Sequence, residues 1–399
     1  MQSLRQHVRY GLRLIKPHPG FALVTVLTLA FGIGANTAIF SILDALLLRS
    51  LPVWRPDRLV EVAAIYRNGA KVPFSYPTFQ ELQGNQKVFS SFFGWTGSGD
   101  HNVEIDGALS RDSVRRVTGN YYSGLGATPL LGRLIAPEDA DSSLGAPVAV
   151  IGYEFWNQRF ARDPGIIGRV IRIEGSPFTI IGVSRKWFMG MTPGNPTDIT
   201  VPVTAKPFPD LTERSLLWIF ATGRLRDGIT IEQAGEQLRS FWHEALVATA
   251  PTTAPGQRLQ SWLGMGMETN PAATGINADL REHFERPLHV LMGLSGLILL
   301  VACVNLANLA LARVVGRTRE MSVRVALGAT RLEIVRQLLT ETLLLSVAGT
   351  LLAFAFAIWG SDLLFATIAS GLRSPVLLDL RPDWRIFCFT AVAAIGTAG

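Results

Sequence analysis

Cysteine is almost missing from this chain. Only Cys303 and Cys388 occur, both inside apolar runs, so neither a disulfide framework nor a cysteine zinc site can be built. Charge is scarce too: Asp, Glu, Lys and Arg make up 17% of 399 residues, against about 25% in an ordinary soluble domain. The six histidines are scattered and none has metal-ligand spacing. The phosphate-cradling pattern G-x-x-x-x-G-K-[ST] is absent, and His243-Glu244 lacks the second histidine of H-E-x-x-H. There is no G-x-S-x-G elbow. Gly32-Ile33-Gly34 imitates the start of a dinucleotide fingerprint, but it lies in the middle of an apolar run and is discounted. These absences predict no catalytic residues, no cofactor and no metal, and any ATPase would be a separate subunit.

Long apolar runs take up the space that charge leaves. Phe21–Leu48 is interrupted only by Asp44, Leu288–Ala312 carries no charge, and Leu338–Trp359 carries one acid, Glu341. Each is longer than the roughly 18–20 residues that cross a bilayer as a helix. A fourth run, Ile386–Gly399, stops at the last residue, so the chain is expected to end inside a fourth helix. The mean hydropathy of +0.28 agrees with membrane residence. The first run is too long for the apolar core of a cleavable signal, and no A-x-A site follows it, so it is expected to stay as an anchor.

The distribution of charge orients these runs. The first twenty residues hold Arg5, Arg9, Arg13 and Lys16 and no acid, while residues 313–336 hold six arginines against Glu320 and Glu333. Between Arg49 and Arg286 basic and acidic residues balance. The two short basic segments mark the cytoplasmic side. The long neutral interval then faces outward, and no nucleic-acid partner is expected from the +6 net charge. Asp44 is placed at the outer interface. Arg381 and Arg385 also fall outside and fit the rule less well, each with an acid, Asp379 or Asp383, close by.

Residues 3–17 have the spacing of an amphipathic helix along the inner headgroups, with Leu4, Val8, Leu12 and Ile15 on one face. In the first run Ala30, Gly34 and Ala38 recur four apart, which allows close helix packing at Gly34. Asn305 and Asn308 lie one turn apart in the second run and suit interhelical hydrogen bonds.

The outward interval has an α+β pattern. A short helix is expected over Pro77–Gln83, with Gly84 just beyond its end. Strands are expected over Val148–Ile151, Val170–Ile173, Phe178–Val183, Ile199–Val203 and Trp218–Arg224, with a hairpin turn at Gly175-Ser176-Pro177. Thr230-Ile231-Glu232-Gln233 is a capping box opening a helix to about Val247, with Trp242 and Leu246 facing the core. Pro287 is expected to kink the return to the membrane. In the basic segment, a helix over about Thr318–Leu327 should stop at Gly328. A second capping box, Thr330 to Glu333, should then start a lever running into the third span.

The run Arg319-Glu320-Met321-Ser322-Val323-Arg324-Val325-Ala326-Leu327-Gly328-Ala329-Thr330 resembles the signature of FtsX-like permease domains. The outward interval resembles the periplasmic core domain of MacB-type permeases. The likeness runs through Asn120-Tyr121-Tyr122, Leu125-Gly126-Ala127 and Gly132-Arg133, then Pro147–Ile151 with Phe155-Trp156, then Gly168–Ile171 and Phe178–Val183. Arg9–Arg13, Pro19–Phe21 and Gly34–Phe40 look closest to the duplicated orphan permeases first noted in acidobacteria. The resemblance implies a type VII ABC transporter permease in the bacterial inner membrane. Its fold is that of a membrane protein with helical spans, three complete and a fourth truncated here, and a large α+β periplasmic domain between spans 1 and 2. It implies pairing with a second permease unit (another copy or the other half of a duplicated chain), contact with membrane lipid and a cytoplasmic ABC ATPase, the latter in question because orphan members lack an obvious partner gene. Arg319, Glu320, Arg324, Ala326, Leu327, Gly328 and Thr330 become the ATPase-coupling segment.

The expected organisation is a cytoplasmic helix (1–20), span 1 (21–48), a periplasmic core domain (49–286) and a permease domain (287–399). The permease domain divides into span 2 at about 288–312, the coupling segment 313–337, span 3 at about 338–360 and a partial span 4 at about 386–399. The expected function is coupling of ATPase action to movement of the periplasmic domain, for export or extraction of amphipathic cargo. Two alternatives stay open: a non-transporting relay that regulates periplasmic or cell-wall enzymes, and a membrane-anchored adhesion or sensing ectodomain.

Overall fold

The computed structural model describes residues 19–140, 147–207, 211–252, 256–276, 278–316, 331–370 and 384–398. The helix expected over 3–17, the one over 318–327 and the Thr330 cap lie outside the described residues. The described residues fall into two compact units, one within Met1–Leu48, Ala278–Arg373 and Leu378–Gly399, the other within Arg49–Asn277.

The described residues begin with α1 (Pro19–Leu43), which continues as a π-helical turn over Asp44–Leu48. The second unit follows. It contains β1 (Leu59–Ile65), β2 (Lys71–Val72), α2 (Tyr76–Asn85), β3 (Phe89–Trp95), β4 (Gly99–Ile105), β5 (Ala108–Val117), α3 (Tyr121–Leu125), β6 (Pro129–Gly132) and β7 (Val148–Ile151). Then come α4 (Tyr153–Phe160), β8 (Val170–Ile173), β9 (Ser176–Ser184), β10 (Ile199–Pro202), β11 (Phe220–Leu225), α5 (Ile231–Ala248), α6 (Gly256–Leu263) and β12 (Gly266–Pro271). Among the described residues three further helices follow: α7 (Ala278–Gly316), α8 (Arg331–Ser370) and α9 (Trp384–Ala398).

The strands form one continuous sheet in the order β10-β7-β9-β8-β4-β5-β3-β11-β1-β12, with an extra pairing of β10 to β5. That extra pairing closes six strands into a ring. Its inward positions, including Val103, Val114, Ile151, Ile171, Phe178, Ile180 and Ile199, make one core, capped by Phe155 and Trp156 of α4. The rest of the sheet, β3-β11-β1-β12, is antiparallel and buried on both faces. Val60, Val62 and Phe92 face Phe79, Leu238, Trp242 and Trp262 of the helices. Leu59, Phe93 and Trp95 face Tyr121, Tyr122 and Met191 on the other side. Period-2 alternation along β1 and β3 serves both layers.

Local chemistry explains the elements. Thr230 Oγ1 accepts from Gln233 N while Gln233 Oε1 accepts from Thr230 N, so the capping box is formed, and Trp242 and Leu246 are buried as expected. β7 and β8 have the expected bounds. The β8–β9 turn lies earlier than expected. Ser176 pairs with Ile173 and Pro177 with Arg172, so both are strand residues, and Glu174 and Gly175 make the turn with φ of 47° and 79°. Two consecutive positive φ values match the right-handed twist of the flanking strands. α2 begins at Tyr76 under a Ser75 cap and includes Gly84 rather than ending before it. β11 starts at Phe220; Ile219 instead bridges to Phe74. Leu51 N donates to Ala273 O, and Ala272 N to Leu59 O, so the two chain ends of this unit are fastened side by side.

In the first unit, Ala22–Leu43 and Leu345–Leu364 are long and apolar enough to cross a membrane by length and composition, and Pro287–Val301 is a shorter apolar stretch. α7 starts before Pro287 and runs through it without a break. Two thirds of α1's apolar window is buried, 67% against 28% for α8, so α1 is the central helix.

Candidate functional site

The inner helix α1 meets each neighbour through a different chemistry. Toward α8 the contact is made by small residues. A Cβ on Gly34 would lie 2.9 Å from Phe356 Cδ1 and 3.0 Å from Ala353 O, and one on Gly349 would lie 2.9 Å from Leu29 Cβ. Removing side-chain bulk lets the backbones approach, which is how helices gain packing energy in lipid. Toward α7 the contact is polar. Ser295 Oγ donates to Asn36 Oδ1 at 2.8 Å, and Asn36 Nδ2 donates to Ser295 O and Gly32 O, both at 3.0 Å. An asparagine buried in a span needs such partners, because lipid offers none.

Toward α9 the contact is polar at two levels. Thr37 and Thr390 hydroxyls lie 3.3 Å apart, and Phe40 stacks on Phe389 with ring centroids 4.3 Å apart. At the end of α1, Arg385 Nη1 donates to Asp44 Oδ1 at 3.3 Å and to Leu48 O at 2.8 Å. Asp44 is wholly buried against the neighbouring helices. Pairing with Asp44 gives Arg385, one of the two arginines that fit the linear charge pattern poorly, a buried partner. The sequence held a signal for this pair: opposite charges, each at one end of an apolar run.

Among the predicted site residues, Gly34 sits in the α1–α8 seam. Asn305 and Asn308 are on α7, where Asn308 is exposed. Arg319, Glu320, Arg324, Ala326, Leu327, Gly328 and Thr330 lie outside the described residues.

The β-rich unit has its own buried cation. Arg115 on β5 is 2% exposed and lies over the Trp95 ring at 5.4 Å. Its guanidinium donates to Ser98 Oγ at 2.9 Å, Thr192 Oγ1 at 2.5 Å and Met189 O at 3.4 Å, all neutral acceptors. Burial pushes the neighbouring Tyr121 phenol up, and the Arg115 charge partly offsets this. Arg116 points to the opposite face and stacks on Trp218 at 4.0 Å, and burial lowers its guanidinium to about 10. Arg115 ties β5 to the 189–192 loop. An open depression of about 500 Å³ beside β3 is lined by Gln83, Ser91, Asn120, Ser123 and Arg226. Two of its amides, Gln83 and Asn120, are already spent on Phe92 O. Among the described residues no group of His, Cys, Asp or Glu could hold a metal ion.

The model of the MacB-like periplasmic core domain matches residues 22–241, and that of the FtsX-like permease C-terminal region matches residues 292–399. The pyoverdine export ATP-binding/permease protein PvdT of Pseudomonas savastanoi pv. phaseolicola is 31% identical over 244 residues, 60% of this chain and 34% of that protein. PvdT of Pseudomonas entomophila is 29% identical over 247 residues, again 60% and 34%. The chain thus spans about a third of the length of the curated relatives it matches. Among solved structures, the periplasmic region of MacB from Actinobacillus actinomycetemcomitans aligns at 15% identity and a TM-score of 0.39, covering 57% of this chain and 92% of that one. The extracellular domain of the noncanonic ABC-type transporter YknZ from Gram-positive bacteria aligns at 13% and 0.36, covering 46% and 91%. With one family model matching more than half of the chain and a second most of the remainder, the chain belongs to the MacB/FtsX-like ABC transporter permeases, membrane proteins with a periplasmic domain.

Proposed function

We propose that this chain is a permease subunit that passes the force of a cytoplasmic ATPase to its β-rich domain, and so exports or extracts an amphipathic cargo. The observation that carries the reading is the order of parts. A periplasmic-type domain is inserted directly after one apolar helix, and a permease-type helical region follows it. In this reading α1, α7 and α8 cross the inner membrane fully and α9 begins a fourth crossing. The N-terminus and residues 313–337 are cytoplasmic, and residues 49–286 are periplasmic. Arg319, Glu320, Arg324, Ala326, Leu327, Gly328 and Thr330, between α7 and α8, receive the ATPase. A unit of four spans is small for a transport path, so a second unit, a copy or a duplicated half, completes it, with lipid around both.

The curated relatives carry the words ATP-binding and permease in one name. An ATPase acting on this chain from a separate subunit would reproduce that pairing. Affinity purification of the tagged chain from native membranes in mild detergent tests this. Copurification of an ABC ATPase, with hydrolysis that responds to the permease, is expected. Repeated recovery of the chain without any ATPase, in detergent and in nanodiscs, would remove the reading.

A further inference from the structure

The π-helical turn at the end of α1 occupies the last five residues before the β-rich unit begins at Arg49. A π turn, bonded i to i+5, is wider than an α turn, is rare, and is found frequently at functional sites. Here one side chain spans it. Arg385, in the first turn of α9, uses a single nitrogen to reach the carboxylate of Asp44 at the start of the turn and the carbonyl of Leu48 at its end. Both acceptors suit a cation. Asp44 is a wholly buried carboxylate, and the terminal carbonyls of a helix carry the negative end of its dipole. Thr37–Thr390 and Phe40–Phe389 fix α9 against α1 in the turns just before it, so the guanidinium is delivered to this place by packing.

We infer that Arg385 and Asp44 form a joint: α9, through Arg385, holds the end of α1 in its wide turn and thereby sets the direction in which the chain leaves for the outward domain. Displacement of α9 relative to α1 breaks or re-forms this clamp. Reverting the turn from π to α would advance the exit by one residue, about 100° of rotation and 1.5 Å of rise. The two residues are positioning residues in the permease reading proposed above, on which their role in transmission rests.

The test separates the joint from that reading by using two measurements on the full chain in nanodiscs. The first is amide hydrogen exchange over residues 45–51, which needs no ATPase. Arg385→Gln is expected to raise exchange there at least tenfold, with residues 22–36 unchanged. Because removing the arginine from the buried Asp44 carboxylate could unfold the bundle, the second variant is the apolar pair Asp44→Leu with Arg385→Met. Replacing a buried ion pair with well-packed apolar groups tends to keep stability. That variant should melt within a few degrees of the parent yet still show the fast exchange, because Leu48 O has lost its donor. Parental exchange over 45–51 in the apolar pair would overturn the joint whatever the protein transports. The second measurement is ATP-driven change in the distance between spin labels at Glu236 and Val392, made with the copurifying ATPase. The joint predicts at least a tenfold loss of the ATP-responsive population in the apolar pair. A full response there, beside a responding parent, would overturn the transmission role while leaving the permease reading in place.

Discussion

Two carboxylates of the β-rich unit are held by opposite physics, and they should respond to pH in opposite directions. Asp139 accepts two hydrogen bonds from Arg133, at 2.5 and 2.8 Å, and one from Ala136 N, at 2.9 Å. The Arg133 guanidinium holds its carboxyl below the usual carboxylate range. The stabilisation is therefore complete above the ordinary Asp pKa and is lost as pH falls through the lower folded value. Asp139→Asn should melt lower than the parent at pH 7, with the gap closing toward pH 3. Asp198 is the reverse. Burial raises its carboxyl, although Ser113 donates to Oδ2 from both N, at 3.0 Å, and Oγ, at 2.8 Å. Its contribution is present at low pH and is lost as pH rises through the raised folded value. An asparagine oxygen can accept the same two bonds without the buried charge. Asp198→Asn should therefore melt higher than the parent at pH 7 and equal it near pH 4. Melting curves of the full chain, followed by tryptophan fluorescence across pH 3–8, check both signs. Thr230 belongs to the same scale. Removing its hydroxyl in Thr230→Ala frees Gln233 N at the start of α5 and should cost about 1 kcal/mol, read as a shift in denaturant midpoint.

At the scale of elements, the seam between α1 and α8 depends on the absence of side chains. Gly34→Val would put a branched side chain against Phe356 and the Ala353 carbonyl. Overpacking of this kind costs about 1–3 kcal/mol, so thermal unfolding of the bundle in detergent should shift down. Gly293 on α7 has nothing within 4 Å of its Cβ position, and Gly293→Ala should leave the same transition in place. Elements governed by local rules were legible in the sequence. β7 and β8 follow from short β-branched runs, and α5 follows from its capping box. The small-residue spacing around Gly34 was also visible, though its partner on α8 was not. The misses came where pairing overrides local punctuation. Ser176 and Pro177 look like turn residues, yet their cross-strand partners Ile173 and Arg172 draw them into β9. Closure of the ring through β10 and β5, and the meeting of Asp44 with Arg385, join residues 85 and 341 apart in sequence, and no window along the chain contains both members.

For the molecule as a whole, the decisive question is which side of the membrane each unit occupies, and single cysteines answer it. The two native cysteines lie on apolar helices, Cys388 exposed and Cys303 partly so, and both must first become alanine to give a silent background. Ser98 is a poor reporter, because its hydroxyl accepts from the buried Arg115 and bonds Thr197 at 2.9 Å. A thiol there would test the Arg115 network rather than sidedness. Ser240 on the outer face of α5 is exposed, and its hydroxyl bonds only one turn back, to Gln237 O at 2.7 Å. Ser240→Cys should leave the core intact and react with a membrane-impermeant maleimide in spheroplasts. Ser322 lies in the basic segment that the charge distribution assigns to the cytoplasm. Ser322→Cys should resist the same reagent until the membrane is opened, and then react. The two results are expected to be opposite, because in the proposed topology the uncharged run Leu288–Ala312 crosses the membrane between the positions. Labelling of Ser322→Cys alone in intact cells would invert the molecule, put the β-rich unit inside, and leave a cytoplasmic ATPase with no basic segment to meet.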